Sequence, residues 1–316
     1  MSAAAAGAAK SAIEASSDKS LRVPCYCEEN VWRLAYRKIH QQEKKKKQQQ
    51  EKKQKRQQKK KKITTAAATT TTTTTSSFQY HVVFISNPKG CAPLFQQLAA
   101  SDRDSAVFWD YHDVTEGTTT TTVLTKNTLV WDIDSYLPFP CHLEDYIEMV
   151  FPNNLDWPKE YAPYFRVIDA SIYLRHFSSD RSHMYNSDTN TWNALPPSYD
   201  CILQHNENTN SNDDSSNNKD DDGNNDVTSN SATTTTTTTA TTAFKQYMTI
   251  SNEDVDYQQK NGEKDDNDDN NNKNENDDNH NHNRIFGRVY SISRLVERFG
   301  CSEDNNNALL PTIEIK

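Results

Sequence analysis

CYCEENVWRL, from Cys25 to Leu34, opens a helix and decides what the rest of the chain must supply. Glu28 and Glu29 fall in a first turn that starts at Cys27, where the positive end of a helix dipole favours acids. Trp32, Ala35, Tyr36 and Ile39 follow at spacings of three and four, so the helix carries one apolar face. Such a face needs a sheet or another helix to cover it. YHVVFIS, Tyr80 to Ser86, is β-branched and aromatic and reads as a buried strand, followed by a turn at Asn87-Pro88-Lys89-Gly90. Strands are expected over Ala106–His112, Val123–Thr125, Thr128–Ile133, Phe165–Asp169 and Arg284–Tyr290, with Lys126-Asn127 as a tight turn. Helices are expected over Leu143–Val150, Ala170–Phe177 and Ser291–Phe299, the last stopping at Gly300. The order implies an α+β (α/β) fold: one compact domain with its N-terminal helix packed on a mainly antiparallel sheet.

Composition limits how much of the 316 residues can fold into that domain. Residues 41–77 are a Lys/Gln run followed by Ala and Thr; 206–242 are Asn/Asp/Ser and then Thr; 252–283 are Asn/Asp/Lys/Glu. None offers enough apolar surface to offset chain entropy, so all three read as long disordered insertions. The first 20 residues and the 302–316 tail read the same way, with a short Thr run at 118–122 as a loop. A single domain over 21–301, interrupted at those places, keeps roughly 170–190 ordered residues, an ordinary domain size. The formal charge of −9 arises from offsetting blocks, basic over Lys44–Lys62 and acidic over Asp213–Asp278. The basic block has no interleaved aromatics and reads as a tolerated repeat, so no nucleic acid or membrane partner is expected. No apolar run approaches a membrane span and no signal peptide is evident, which places the chain in the cytoplasm, with the nucleus as a second compartment. Its six cysteines are then free thiols. The Cys25-x-Cys27 pair lacks a second ligand pair, so neither a metal nor a cofactor is expected. The small core implies a monomer.

Three stretches carry chemistry: CYCEENVWRL, FWDYHDV (Phe108–Val114) and VWDIDSYLPFPC (Val130–Cys141). They supply a cysteine at a helix start, a histidine among aromatics and an acid on a strand, the parts of a thiol nucleophile, its base and the group that orients the base. Cys27 would gain thiolate character from the helix N-terminus and from a nearby imidazolium. Cys25 competes with it but follows Pro24 in extended chain. His112 would pass protons, Asp132 would fix its tautomer, and backbone N–H groups at the helix start would receive an oxyanion. Glu28, Asp110 and Asp134 are candidates to read a cationic substrate group, and Trp109, Tyr111 and Trp131 to line an apolar slot. Each could equally be scaffold. The polar Ser178–Met184 stretch is either a wall of the site or a loop held by its own Asp–Arg and Ser bonds.

The same stretches, with VVFISN, FRVIDASIYLRHFSSDRSHM, PPSYDCI and GRVYSISRLVERFG, resemble the protein N-terminal glutamine amidohydrolases, in order and over nearly all the expected ordered chain. The resemblance implies a papain/transglutaminase-like thiol-hydrolase domain. It implies deamidation of an N-terminal glutamine side chain to glutamate through a Cys thioester, with ammonia released, no cofactor, and a product that can be arginylated and degraded through the N-degron route. It places the catalytic residues on Cys27, His112 and Asp132. The substrates would be proteins or peptides with a free N-terminal Gln. Two other readings stay open from the residues alone: another thiol acyl-transfer enzyme, and a non-catalytic binder of N-terminal residues.

Overall fold

The computed structural model describes residues 16–61, 78–120, 126–152, 157–158, 160–203, 245–255 and 286–300. Six strands form one antiparallel sheet. In chain order they are β1 (Phe78–Ser86), β4 (His112–Thr120), β5 (Lys126–Trp131), β6 (Cys141–His142), β7 (Tyr164–Asp169) and β10 (Arg288–Ser291). Across the sheet the order is β10-β7-β1-β4-β5-β6. Two small ribbons lie apart, β2 (Ala92–Leu94) with β3 (Val107–Trp109) and β8 (Tyr185–Asn186) with β9 (Thr191–Trp192).

The apolar run of β1 explains its central place. Every residue from His81 to Ser86 is buried, so both faces of the strand must be covered. Val82 and Phe84 point to α1 (Cys27–Lys61) and α3 (Ala170–His176), packing with Val31, Ala35, Ile168 and Tyr173. Val83 and Ile85 point the other way, to α2 (Leu143–Val150) and α4 (Ile292–Phe299), packing with Val130, Ile147, Val150 and Leu295. Helices therefore cover both faces of an antiparallel sheet. Gly117 sits mid-strand because the rings of Trp131 and Tyr80 cross over it; a Cβ there would lie 2.8 Å from Trp131.

Several sequence expectations change. The buried stripe of α1 is Val31, Leu34 and Ala35, while Tyr36 is exposed and stacked between Trp32 and His40. The insertion from residue 41 reads as disordered by composition, with the helix entering it expected either to fray or to continue as a solvated extension; it continues to Lys61, because Gln, Lys and Glu are good helix formers and the helix is already nucleated. The side-chain amide of Gln42 still pairs with both backbone groups of Phe78, and from Glu43 to Arg56 the helix is exposed. Residues 16–20 are ordered too: Asp18 is buried between Arg37 and Lys38. Within 252–283, residues 252–255 form a helical turn whose Asp254 pairs with the buried Arg166. Lys126 and Asn127 lie in β5, opposite Thr120 and Thr119, and are not a turn. Thr118–Thr120 belong to β4, since Thr suits a strand. The strand expected over Ala106–His112 is split by a bend at 110, into β3 and β4. Residues 1–15, 62–77, 121–125, 153–156, 159, 204–244, 256–285 and 301–316 lie outside the described residues, and with them the expected strand Val123–Thr125, the 206–242 insertion and the C-terminal tail.

Candidate active site

The site lies at one end of the sheet, where β1 finishes, β4 begins and α1 starts. The first backbone bond of α1 runs from Asn30 N–H to Tyr26 C=O. The Asn30 side chain clasps both backbone groups of Val23, fixing the loop that carries Cys25 and Cys27. Cys25 is exposed with φ 66°, and Cys27 is half-buried. Arg181 grips the buried Glu29 through two nitrogens, at 2.7 and 2.8 Å, and also donates to the Tyr199 carbonyl. The Ser178–Met184 stretch is thus tied to α1 by its arginine, while Asp180 accepts from Ser182 inside the loop.

His112 and Asp132 meet. His112 Nε2 lies 3.1 Å from Asp132 Oδ1, with both side chains buried. Asp132 Oδ1 also accepts from the Asp134 backbone N–H at 2.9 Å, and Oδ2 accepts from Tyr146 Oη at 2.9 Å and Gln97 Nε2 at 3.2 Å. Burial opposes the charge on Asp132, but His112 and these donors outweigh it and hold the carboxyl below its ordinary pKa. Burial likewise opposes the imidazolium, and Asp132 outweighs it, so the His112 pKa rises. The Trp109 ring stacks on the imidazole at 6.2 Å between centroids. With Nε2 on the carboxylate, Nδ1 is the ring nitrogen left for a reacting group.

Cys27 keeps different company. Its Sγ lies 3.7 Å from Glu28 Oε2, which also accepts from Tyr111 Oη at 3.2 Å. Donor atoms of Cys27, Glu28 and Asp113 all lie within 4.8 Å of one another. Asp113 follows His112 along β4, so the two side chains leave opposite faces of the strand. Among the described residues no hydrogen bond joins the Cys27 thiol to the His112 ring. Burial, then Asp113, Glu28 and Asp134, push the thiol well above its ordinary pKa, against the pull of the Glu28 backbone N–H. Desolvation and the nearby carboxyls thus oppose the thiolate expected at a helix start, against the pull of one turn of helix.

The remaining candidates separate. Glu28 is buried, and burial lifts its carboxyl to about 7. Asp110 is exposed; its carbonyl accepts from Ser86 Oγ and its carboxylate from the Tyr111 N–H. Asp134 is taken up by Arg22 Nε at 2.6 Å. Gln97, Tyr146 and Asp113 had no sequence signal. The first two reach Asp132 from outside the three stretches, and Asp113 reads as an ordinary strand residue beside His112.

The profile of the family described as N-terminal glutamine amidase matches residues 22–244. The chain belongs to that family. It is 33% identical over 189 residues to the protein N-terminal glutamine amidohydrolase of Bos taurus, covering 60% of this chain and 73% of that one. The Homo sapiens protein of the same name is 33% identical over 189 residues, covering 60% of this chain and 74% of its own length. The Arabidopsis thaliana one is 39% identical over 122 residues, covering 39% of this chain and 54% of its own. The matched span holds Cys27, His112 and Asp132; β10 and α4, which close the sheet and cover one of its faces, lie beyond it.

Proposed function

We propose that this chain hydrolyses the side-chain amide of an N-terminal glutamine on proteins or peptides, as a thiol hydrolase of papain/transglutaminase-like design. Its family and the names of its relatives support that reaction, and the observation that carries the mechanism is the buried His112–Asp132 pair beside a helix that begins at Cys27. Cys27 Sγ sits by Asp113 and the imidazole by Asp132, on opposite faces of β4 at the same end of the sheet, so the reaction requires the start of α1 and the start of β4 to shift together when substrate binds. Substrate entry displaces the thiol from Glu28. The S–H proton passes to His112, and the sulfur attacks the carboxamide carbon. The C–N bond breaks as His112 returns the proton, so ammonia leaves and a thioester remains. Water, deprotonated by His112, attacks the thioester carbon; the thiol regains its proton and the product is an N-terminal glutamate. Asp132 stays ionised throughout and stabilises the imidazolium. The glutamate product suits arginylation and entry into the N-degron route.

Cys27→Ala is expected to abolish ammonia release from a Gln-initiated peptide while the far-UV circular dichroism is unchanged, and N-terminal acetylation of the peptide is expected to block release by the native protein. Turnover in the alanine variant removes Cys27 as nucleophile. Equal rates on the acetylated peptide make the protein a general glutaminase.

A further inference from the structure

The buried groups around the Cys27 thiol exceed what a nucleophile needs. Asp113 is 0% exposed and has no donor for its carboxyl oxygens beyond the Cys27 thiol; Glu28 is 1% exposed and its Oε1 has none. Buried carboxyl oxygens without donors are unfavourable as charged groups, so such a pair either keeps its protons or exchanges them for a cation. With Cys27 Sγ they form a set of one sulfur and two carboxyl donors, all within 4.8 Å of one another. Two occupants carry positive charge of suitable kind: a metal ion and the α-ammonium of a peptide. Near-complete burial of both carboxyls favours the smaller, and the sulfur donor selects a thiophilic ion over Mg2+ or Ca2+, which take oxygen ligands.

We propose that Cys27, Glu28 and Asp113 form a binding site for a thiophilic divalent cation of the Zn2+ class, with a fourth position open to water. Binding replaces the thiol proton, and any proton on either carboxyl, which leave to bulk solvent; a metal–sulfur bond forms and no electron is transferred. The bond occupies the sulfur lone pair. The metal is therefore a reversible off-switch for the thiol, distinct from any role in turnover. The site rests on geometry and stands whether or not Cys27 is the nucleophile. His112 takes no part, since its Nε2 is held by Asp132 on the other face of β4.

Co2+ is the probe, because its bond to a thiolate gives a charge-transfer absorption in the near ultraviolet and four-coordinate Co2+ gives intense visible bands. The full-length chain, freed of metal, is titrated with Co2+ and back-titrated with Zn2+. The expected result is one equivalent of Co2+ with a thiolate band, displaced by Zn2+. Cys27→Ser should lose the band. Asp113→Asn and Glu28→Gln should each weaken Co2+ binding at least tenfold while the native circular dichroism is kept, and Cys25→Ser should leave binding unchanged. Zn2+ should also slow alkylation of Cys27 by iodoacetamide in the native chain at least tenfold more than in Asp113→Asn. No thiolate band with Co2+, a band that follows Cys25, or native affinity in both carboxyl variants overturns the proposal. Protection of Cys27 by a Gln-initiated peptide in a chain that binds no Co2+ also overturns it, and assigns the carboxyls to the substrate amine. These readouts need no turnover, so an inactive protein that binds Co2+ separates this inference from the reaction proposed above.

Discussion

Asp132 accepts four hydrogen bonds, from His112, Tyr146, Gln97 and the Asp134 backbone. Each donor favours the ionised carboxyl, and only an ionised carboxyl holds Nε2–H against the leaving proton. Tyr146→Phe removes one donor to a charged acceptor and should lower kcat about tenfold, the equivalent of about 1.4 kcal/mol. Asp132→Asn should lower it by roughly 10² to 10⁴, since the amide can hold the wrong tautomer. Steady-state ammonia release measures both, and a Tyr146→Phe loss equal to that of Asp132→Asn contradicts the ranking. A second buried acid reports on pH. Glu116 faces His81 at 3.9 Å on the α2/α4 side, and burial lifts its carboxyl from 4.5 to about 7. Between those values the folded state binds more protons than the unfolded, so this group makes stability fall as pH rises, by roughly 3 kcal/mol in all. Glu116→Gln removes that slope. Urea unfolding at pH 5 and pH 7.5 should show the variant gaining on the native protein at the higher pH; a constant difference removes Glu116 as the cause.

At the scale of the element, α1 is two helices in one. Its first half is held by Val31, Leu34 and Ala35 against the sheet and ends at the Gln42–Phe78 clasp. Its second half is exposed from Glu43 to Arg56 and persists because Lys, Gln and Glu extend a nucleated helix cheaply. Gln48→Pro should therefore reduce the 222 nm ellipticity while changing the unfolding free energy by less than about 0.5 kcal/mol. A loss above about 1 kcal/mol by urea titration would mean that the extension is packed. Tyr36 shows the same limit of pattern reading from the other side. Its spacing suits the buried face, yet the turn of the helix against a twisted sheet leaves it outside, stacked on His40.

The whole molecule is organised about one strand with two buried faces. Val83 and Phe84 are neighbours in sequence and belong to different apolar clusters, so neither cluster can dissolve without β1. Urea unfolding of the Gln48→Pro chain should show one transition, with tryptophan fluorescence and far-UV ellipticity coinciding. Two separated midpoints would divide the clusters into independent units. Much of this was legible beforehand. The helix start at Cys27, the buried run of β1, the helices from Leu143 and Ala170, and the candidate residues Cys27, His112 and Asp132 rest on local patterns of periodicity, capping and motif, which one chain segment carries by itself. The tertiary structure decided what depends on residues far apart in sequence. It set the register that turns Asp113 toward Cys27 and His112 toward Asp132, brought Tyr146 and Gln97 onto that carboxylate, gave Glu29 to Arg181, and buried enough acid around one sulfur to raise its pKa. Burial and charge are sums over neighbours from every element, and no single stretch contains its own neighbours.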